Sequence, residues 1–320
     1  MKKLLKRLLK AVNKGYTFLY RNTVMRLIIR IKSQGTVSIN EFKVNMNFSY
    51  RTESYYPAIL QENRRWAKKI VARHTVPDER GLPTTPKGPT RYRPVILAQY
   101  GLMNYNLYLK FGDEAYKDSL LAVCDYLCEA ITPEGTWPHP YDYRSSAVNA
   151  TLRAPWCSSM VQGEAISCLV RGYHLTQNPL YLDTAEKALK PFTRPVEEGG
   201  VLRMLGEGLP MYEKYPTDPP SCILNGFLFS LIGLYDLGQT AHSGAQQAKE
   251  LFEAGMHTLT RILPLYDDDL CSLYDLGYLF AAPIPKHKNP YYHWIHVNLL
   301  LAVHSIQPNP LFWHFINKWK

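Results

Sequence analysis

The sequence predicts an all-α protein built as an (α/α) toroid of about four helical hairpins, and three observations carry that prediction. Apolar residues recur at helical period in long paired segments from Arg93 onward. Loops carrying Pro, Gly and Asp turn signals, such as "TPEGTWPHP", "PVEEGG" and "YDDDLCS", divide the pairs. An amide residue stands near the start of the first helix of each pair: Gln99, Gln162, Asn225 and Asn298, spaced by 63, 63 and 73 residues (162 − 99, 225 − 162, 298 − 225). Such recurrence marks a repeated supersecondary unit. Successive hairpins of similar length close into an inner and an outer ring, and four unequal hairpins with long loops favour that ring over an open solenoid.

At 320 residues and 46% hydrophobic, the chain is long enough to bury a full core. Its first 32 residues hold ten Lys and Arg and no acid, which leaves 37 − 10 = 27 bases against 27 acids in the remainder. The formal charge of +10 is therefore a property of one end, and nucleic acid is excluded as the expected partner of the body. Within residues 1–32, Leu4, Leu5, Leu8, Leu9 and Val12 share one helical face opposite Lys3, Lys6, Arg7 and Lys10. That is the pattern of a basic amphipathic helix lying on an anionic leaflet, or of a solvated helix packed on the body. Lysines interrupt every apolar run, so neither a spanning helix nor a signal-peptide core is expected there. The expected location is cytoplasmic, peripheral on the inner membrane face through this segment. A homodimer is compatible with the sequence.

Residues 33–92, with "TVPDERGLPTTPKGPTRYRP", read as short strands and an extended lead-in. Helices are then expected at about 94–111 with 114–131, 160–177 with 179–191, 222–237 with 244–264, and 292–306 with 309–319. Gly101, Gly163 and Gly226 follow three of the four amides closely, where a small residue permits helices to approach. The six cysteines show no Cys-x-x-Cys spacing and fall among apolar residues, so they are expected as free buried thiols of a reducing compartment. No metal and no cofactor are expected.

The loops that enter the inner helices converge on one mouth of a toroid. "RYRPVILAQ", "RAPWCSSMVQ", "YEKYPTDPPS" and "NPYYHWIHVN" would bring Tyr92, Arg93, Arg153, Trp156, Tyr212, Glu213, Lys214, Tyr215, Tyr291, Tyr292, His293 and His296 together. Such a lining, in a chain with 23 tyrosines, suits a polar polymer such as a carbohydrate. His293 and His296 stand i, i+3 without an acidic partner in sequence, which fits hydrogen bonding to a ligand or loop better than a metal. Glycoside hydrolysis would need two carboxylates across the cleft, and Glu213, Asp275 and Glu164 have no diagnostic spacing. Phosphate-cradling loops, nucleophile elbows and dinucleotide fingerprints are absent.

From about Val95 to Lys320 the chain resembles the catalytic domain of the D-glucuronyl C5-epimerase family. The resemblance rests on "AQYGLMNY", "APWCSSMVQGEAISCLVRGYHLTQNPLYL", "YEKYPTDPPSCILNGFLFSLIGLYDL", "LPLYDDDLCSLYDL" and "YYHWIHVN" in that order. It implies a helical toroid acting on an acidic polysaccharide, converting D-glucuronate to L-iduronate in a heparosan-like glycan. It also implies a compact, bacterial-type member, without the β-rich domain that lies upstream in animal members. The family is thought to use tyrosines of a Y-E-E-Y-P loop, a Y-D-L-R stretch and a Y-H-x-x-H stretch, which fall here on Tyr215, Tyr274 and Tyr292.

Removing H5, α to a carboxylate, requires that charge to be neutralised as an enediolate forms, and a second group must return a proton on the opposite face. Phenols, ordinarily near pKa ~10, are expected to be shifted down by nearby cations to serve. Two departures from the pattern stand out: the loop's second glutamate is Lys214, and the arginine of Y-D-L-R is Gly277. Lys214 is expected to supply the cation that Gly277 lacks. Gln99, Gln162, Asn225 and Asn298 are expected to bind sugar hydroxyls, Trp137 and Trp156 to stack on sugar faces, and Arg93, Arg153 and Arg203 to meet polymer carboxylates. A uronate lyase is the nearest alternative chemistry, and a non-catalytic glycan-binding protein with a degenerate site is the alternative of another class.

Overall fold

Four helical hairpins follow one another along the chain. The computed structural model describes residues 44, 46–57, 76–85, 91–269, 271–281 and 283–320, so the amphipathic segment 1–32 and much of the lead-in lie outside the described residues. The first hairpin pairs α1 (Pro94–Phe111) with α2 (Glu114–Ala130). The second pairs α3 (Ser159–Thr176) with α4 (Pro179–Lys187), and a one-turn α5 (Lys190–Thr193) follows. The third pairs α6 (Leu224–Gly238) with α7 (Ala245–Ile262). A single turn, α8 (Gly277–Phe280), precedes the fourth pair, α9 (Pro290–Ile306) and α10 (Pro310–Trp319). The expected helices therefore form with ends shifted by a few residues, except that 179–191 is broken. Pro191 has no N–H to donate and its ring opposes the carbonyl four residues back, at Lys187, where α4 ends.

Local chemistry sets the helix ends. Pro94, Pro179 and Pro310 open their helices at positions where the missing N–H costs nothing. The side chains of Asp113, Asn178 and Asn309 accept hydrogen bonds from Ala115 N, Leu180 N and Leu311 N. Gly112 closes α1 in the left-handed conformation, φ 66°.

Burial separates the layers. From Ser159 to Gly172 every residue of α3 is buried, and in α6 only Tyr235 is not. Helices apolar on all sides belong inside. They form the inner row α1, α3, α6 and α9, each packed on the next, while α2, α4, α7 and α10 back them and bury one face only, as in an (α/α) toroid-type fold. The α3–α6 contact is the most extensive, because glycines let the backbones touch. A Cβ at Gly163 would stand 2.6 Å from the Phe229 carbonyl oxygen, and one at Gly233 would stand 2.2 Å from that of Gly163.

The described part of the lead-in goes into the core. Tyr50 and Tyr56 are buried, and Tyr56 N donates to Asn106 Oδ1 of α1. Tyr50 N donates to Ser305 Oγ of α9, and the Tyr50 hydroxyl donates to Asp236 of α6. Arg171 of α3 donates to that hydroxyl and to Asp236 at 2.7 Å, with both charged side chains fully buried. This polar knot ties the C-terminal halves of all four inner helices to the lead-in and leaves their N-terminal ends free for chemistry. Strands β1 (Val76–Pro77) and β2 (Pro83–Thr84), β3 (Tyr143–Arg144) and β4 (Thr151–Leu152), and β5 (Leu202–Met204) and β6 (Pro210–Tyr212) make three antiparallel hairpins among the loops. Among the described residues no helix is long and apolar enough to cross a membrane, and all six cysteines are free.

Candidate active site

Two loops stitched together by backbone bonds make the centre of the site. Leu224 N donates to Tyr274 O and Leu276 N donates to Ser221 O, so the segment after β6 and the one before α8 run side by side. Glu213 anchors the first loop: it accepts hydrogen bonds from Cys222 N and Ser221 Oγ, and the Arg203 guanidinium stands 3.9 Å away. Ser221 Oγ also stands 3.0 Å from Tyr215 O, so its one proton is shared between the two acceptors. Asp275 fixes the second loop by accepting from Gly277 N and meeting His287 Nδ1 at 3.0 Å.

This stitching sets Lys214 among three phenols. Its Nζ lies 3.0 Å from the Tyr274 hydroxyl and 3.5 Å from Asn225 Oδ1. The same nitrogen stands 5.1 Å from the ring centre of Tyr215 and 5.4 Å from those of Tyr274 and Tyr292. Tyr274 and Tyr292 are 4.4 Å apart at their ring centres. Gly226 makes the room, since a Cβ there would meet the Lys214 Cβ at 2.3 Å. Gly277 does likewise for the β3–β4 hairpin, because a Cβ there would stand 2.3 Å from Ala147 O.

An aromatic wall completes one side. Tyr143 of β3 stacks on Tyr215 at 4.6 Å, Trp156 meets Tyr215 edge-on at 5.9 Å, and His139 stacks on Trp156 at 4.0 Å. Arg93 lies over the Tyr141 ring at 5.4 Å, and its charge, after burial and together with that of Lys214, holds the His139 pKa down at about 4. Gln99 of α1 donates to Glu164 Oε1 of α3 at 3.1 Å. His296 of α9 meets Ser272 Oγ through Nδ1 at 2.8 Å, while its buried Nε2 has no hydrogen-bond partner.

The electrostatics reverse one expectation. Tyr215, Tyr274 and Tyr292 are all pushed above the ordinary phenol value, chiefly by burial, instead of being drawn down by a cation. Burial moves Lys214 the other way, down to about 8, against the attraction of the Glu164 carboxylate. Glu164 itself is raised to about 8 by burial, opposed by the Gln99 hydrogen bond and by Lys214.

Of the residues singled out in the sequence, Lys214, Tyr215, Tyr274, Tyr292, Asn225, Gln99, Trp156, Arg93 and His296 lie in or against this cluster. Others are committed elsewhere. Gln162 accepts from Trp137 N and donates to Gly135 O and Ala188 O, so its amide is spent on fastening loops. Trp137 is buried with its indole N–H on Leu127 O, which makes it a core ring and not a sugar platform. Glu213 is the buried loop anchor described above. His293 ties Ser272 N to Trp319 O. Asn298 donates to Trp294 O one turn back in its own helix. Tyr92 donates to Asp78 and packs on Tyr126, away from the phenols. Arg153 is exposed and paired with Asp142. Tyr143 and His139 were missed, and short period-2 runs around "YDYR" offered only a weak signal for them. Glu164 stood out only as an unspaced carboxylate. Among the described residues no cluster of three or more His, Cys, Asp and Glu could hold a metal.

Residues 132–320, more than half of the chain, match the family model described as the D-glucuronyl C5-epimerase C-terminus. The chain belongs to that family. It is 35% identical over 218 residues to the D-glucuronyl C5-epimerase of Caenorhabditis elegans, a match that covers 64% of this chain and 35% of that protein. It is also 25% identical over 173 residues to an uncharacterised protein of Methanocaldococcus jannaschii, covering 53% of each. The chain thus spans about a third to a half of the length of these curated relatives. A solved polysaccharide lyase aligns with a TM-score of 0.45 at 12% identity, over 71% of this chain and 57% of that one, a likeness too distant to carry an argument.

Proposed function

We propose that this member of the C5-epimerase family inverts C5 of D-glucuronate units in a heparosan-like acidic polysaccharide, giving L-iduronate, with Tyr215, Tyr274, Tyr292 and Lys214 as the catalytic groups. The observation that carries this reading is the Lys214 amine, 3.0 Å from the Tyr274 hydroxyl and at the centre of three phenol rings.

A phenol held above its ordinary pKa is a poor base by itself. Lys214, drawn down to about 8, is partly an amine near neutral pH and can take the Tyr274 proton. That single transfer makes a phenolate to abstract H5 and an ammonium to face the uronate carboxylate as charge develops on it. The cation appears where and when the enediolate needs it. Tyr215 and Tyr292, still protonated, flank Tyr274 as the acids that return a proton to the opposite face; Tyr274 has by then regained a proton as H5, so Lys214 gives its own proton to the phenolate left on the donating tyrosine and the site is restored. Trp156 and Tyr143 offer apolar faces to a sugar beside Tyr215. Residues 1–32 would bring the chain to the inner face of a membrane where such a glycan is assembled.

The test is exchange of C5 hydrogen with solvent deuterium on heparosan, with products analysed for iduronate and for ultraviolet-absorbing unsaturated uronate. Wild type is expected to incorporate deuterium and form iduronate, and Lys214→Met to lose that exchange. Unaltered exchange in K214M removes the role of Lys214. Unsaturated product would make the chain a lyase, and binding without exchange would make it a glycan-binding protein.

A further inference from the structure

The arginines that the sequence offers to polymer carboxylates differ in what they already hold. Arg153 is exposed and paired with Asp142, and Arg203 donates to Glu197 Oε1 and to Thr217 O. Arg93 is half-buried, and among the described residues it makes no ion pair and no hydrogen bond, even from its buried Nε. A guanidinium keeps its charge at any working pH and carries donors in a fork that matches a carboxylate, so one left unpaired in the wall of a site suits an anion that arrives with a ligand.

The surroundings of Arg93 are built and rigid. Its Cζ lies 5.4 Å from the centre of the Tyr141 ring, whose π face attracts a cation. Tyr141 is held by its hydroxyl, 3.1 Å from His139 Nδ1, and by its carbonyl, which accepts from Trp156 Nε1 at 2.9 Å. Trp156 stacks on His139 and stands 6.4 Å from Tyr141 and 5.9 Å from Tyr215, centre to centre. A row of touching rings therefore joins Arg93 to the phenols around Lys214, with one cation at each end. Neither neighbour of Tyr141 that could supply a negative charge or a further positive one does so. Asp142 is spent on Arg153 and on Ala154 N, and His139, held down at about 4, is neutral near pH 7.

We infer that Arg93 is the receptor for a second carboxylate of the same polysaccharide strand: while Lys214 faces the uronate being inverted, Arg93 grips a neighbouring uronate at the other end of the aromatic row. This deepens the proposed function and takes its substrate class from it. Lys214 by itself would admit any chain bearing one uronate. A second fixed cation favours an internal unit of a polymer in which acidic sugars recur, and disfavours a strand that lacks the neighbouring acid, because the guanidinium is then left without its partner. Aromatic faces between the two cations suit the apolar side of the sugar that links the two acids.

The experiment measures binding by titration calorimetry, at low and at high salt, with two ligands: a heparosan hexasaccharide, and a synthetic hexasaccharide in which glucose replaces every glucuronate except one internal unit. Wild type is expected to hold the first roughly tenfold more tightly, with the advantage shrinking as salt rises. Arg93→Gln should erase the advantage by weakening the intact ligand about tenfold while holding the single-uronate ligand as wild type does. Arg93→Lys should keep only part of it, since an ammonium cannot reproduce the fork, and serves if R93Q does not fold. Wild type binding both ligands alike overturns the inference, and so does an advantage that survives intact in R93Q. Equal loss of both ligands in R93Q overturns it too, because Arg93 would then be only a prop of the aromatic wall. A carboxylate-dependent advantage that R93Q abolishes, in a protein that never exchanges C5 hydrogen on heparosan, keeps the receptor and overturns the proposed function instead.

Discussion

Gly226→Ala separates site geometry from stability. The added Cβ would lie 2.3 Å from Lys214 Cβ and 2.9 Å from both Cγ and Cδ, where non-bonded carbons ordinarily stand about 3.5–4.0 Å apart. To reach a contact of about 3.5 Å the Lys214 stem must therefore retreat by about 1.2 Å at Cβ and about 0.6 Å at Cγ and Cδ. The contacts it would give up are the 3.0 Å approach to Tyr274 and the 3.5 Å approach to Asn225. On stability, Gly to Ala in a helix gains about 1 kcal/mol, whereas overpacking costs about 1–3 kcal/mol, so the net loss should be between about zero and 2 kcal/mol. On activity, a 1 Å displacement of a reacting group costs on the order of 100-fold. Deuterium exchange on heparosan beside a thermal melt reads both quantities. A folded G226A with exchange within a few-fold of wild type would refute the claim that Lys214 must sit where Gly226 lets it.

Restoring the arginine that the Y-D-L-R pattern places at Gly277 should harm this protein, because a Cβ there meets Ala147 O at 2.3 Å and Val148 Cγ1 at 2.8 Å. Gly277→Arg is expected to displace the β3–β4 hairpin, detected as faster proteolysis within residues 145–150 and lost exchange activity, and protection equal to wild type would count against it. Asp236→Asn leaves Arg171 as a buried charge without its partner and should lower unfolding stability by about 3–5 kcal/mol in denaturant titration. A loss under about 1 kcal/mol would show that Tyr50 and the Ser167 carbonyl suffice to hold the guanidinium.

Periodicity is a local record of burial, so the sequence alone determined the four hairpins, the inner and outer character of their helices and the glycines at helix crossings. Family resemblance placed Tyr215, Tyr274 and Tyr292 in one site through three short motifs. Neither source could say that Gln162, Trp137 and His293 spend their polar atoms on loops, since a hydrogen-bond partner is chosen by segments dozens of residues away: Gln162 reaches Ala188, and His293 reaches Trp319. The direction of the phenol shifts was hidden for the same reason. A nearby cation can be guessed from a motif, but desolvation depends on everything packed around a group, and here it raises all three tyrosines. Tertiary structure alone set Gln99 of α1 against the buried Glu164 of α3, and threaded Tyr50 and Tyr56 of an unremarkable lead-in through the far end of the inner helices. Charge and burial act through space, and one-dimensional spacing carries neither.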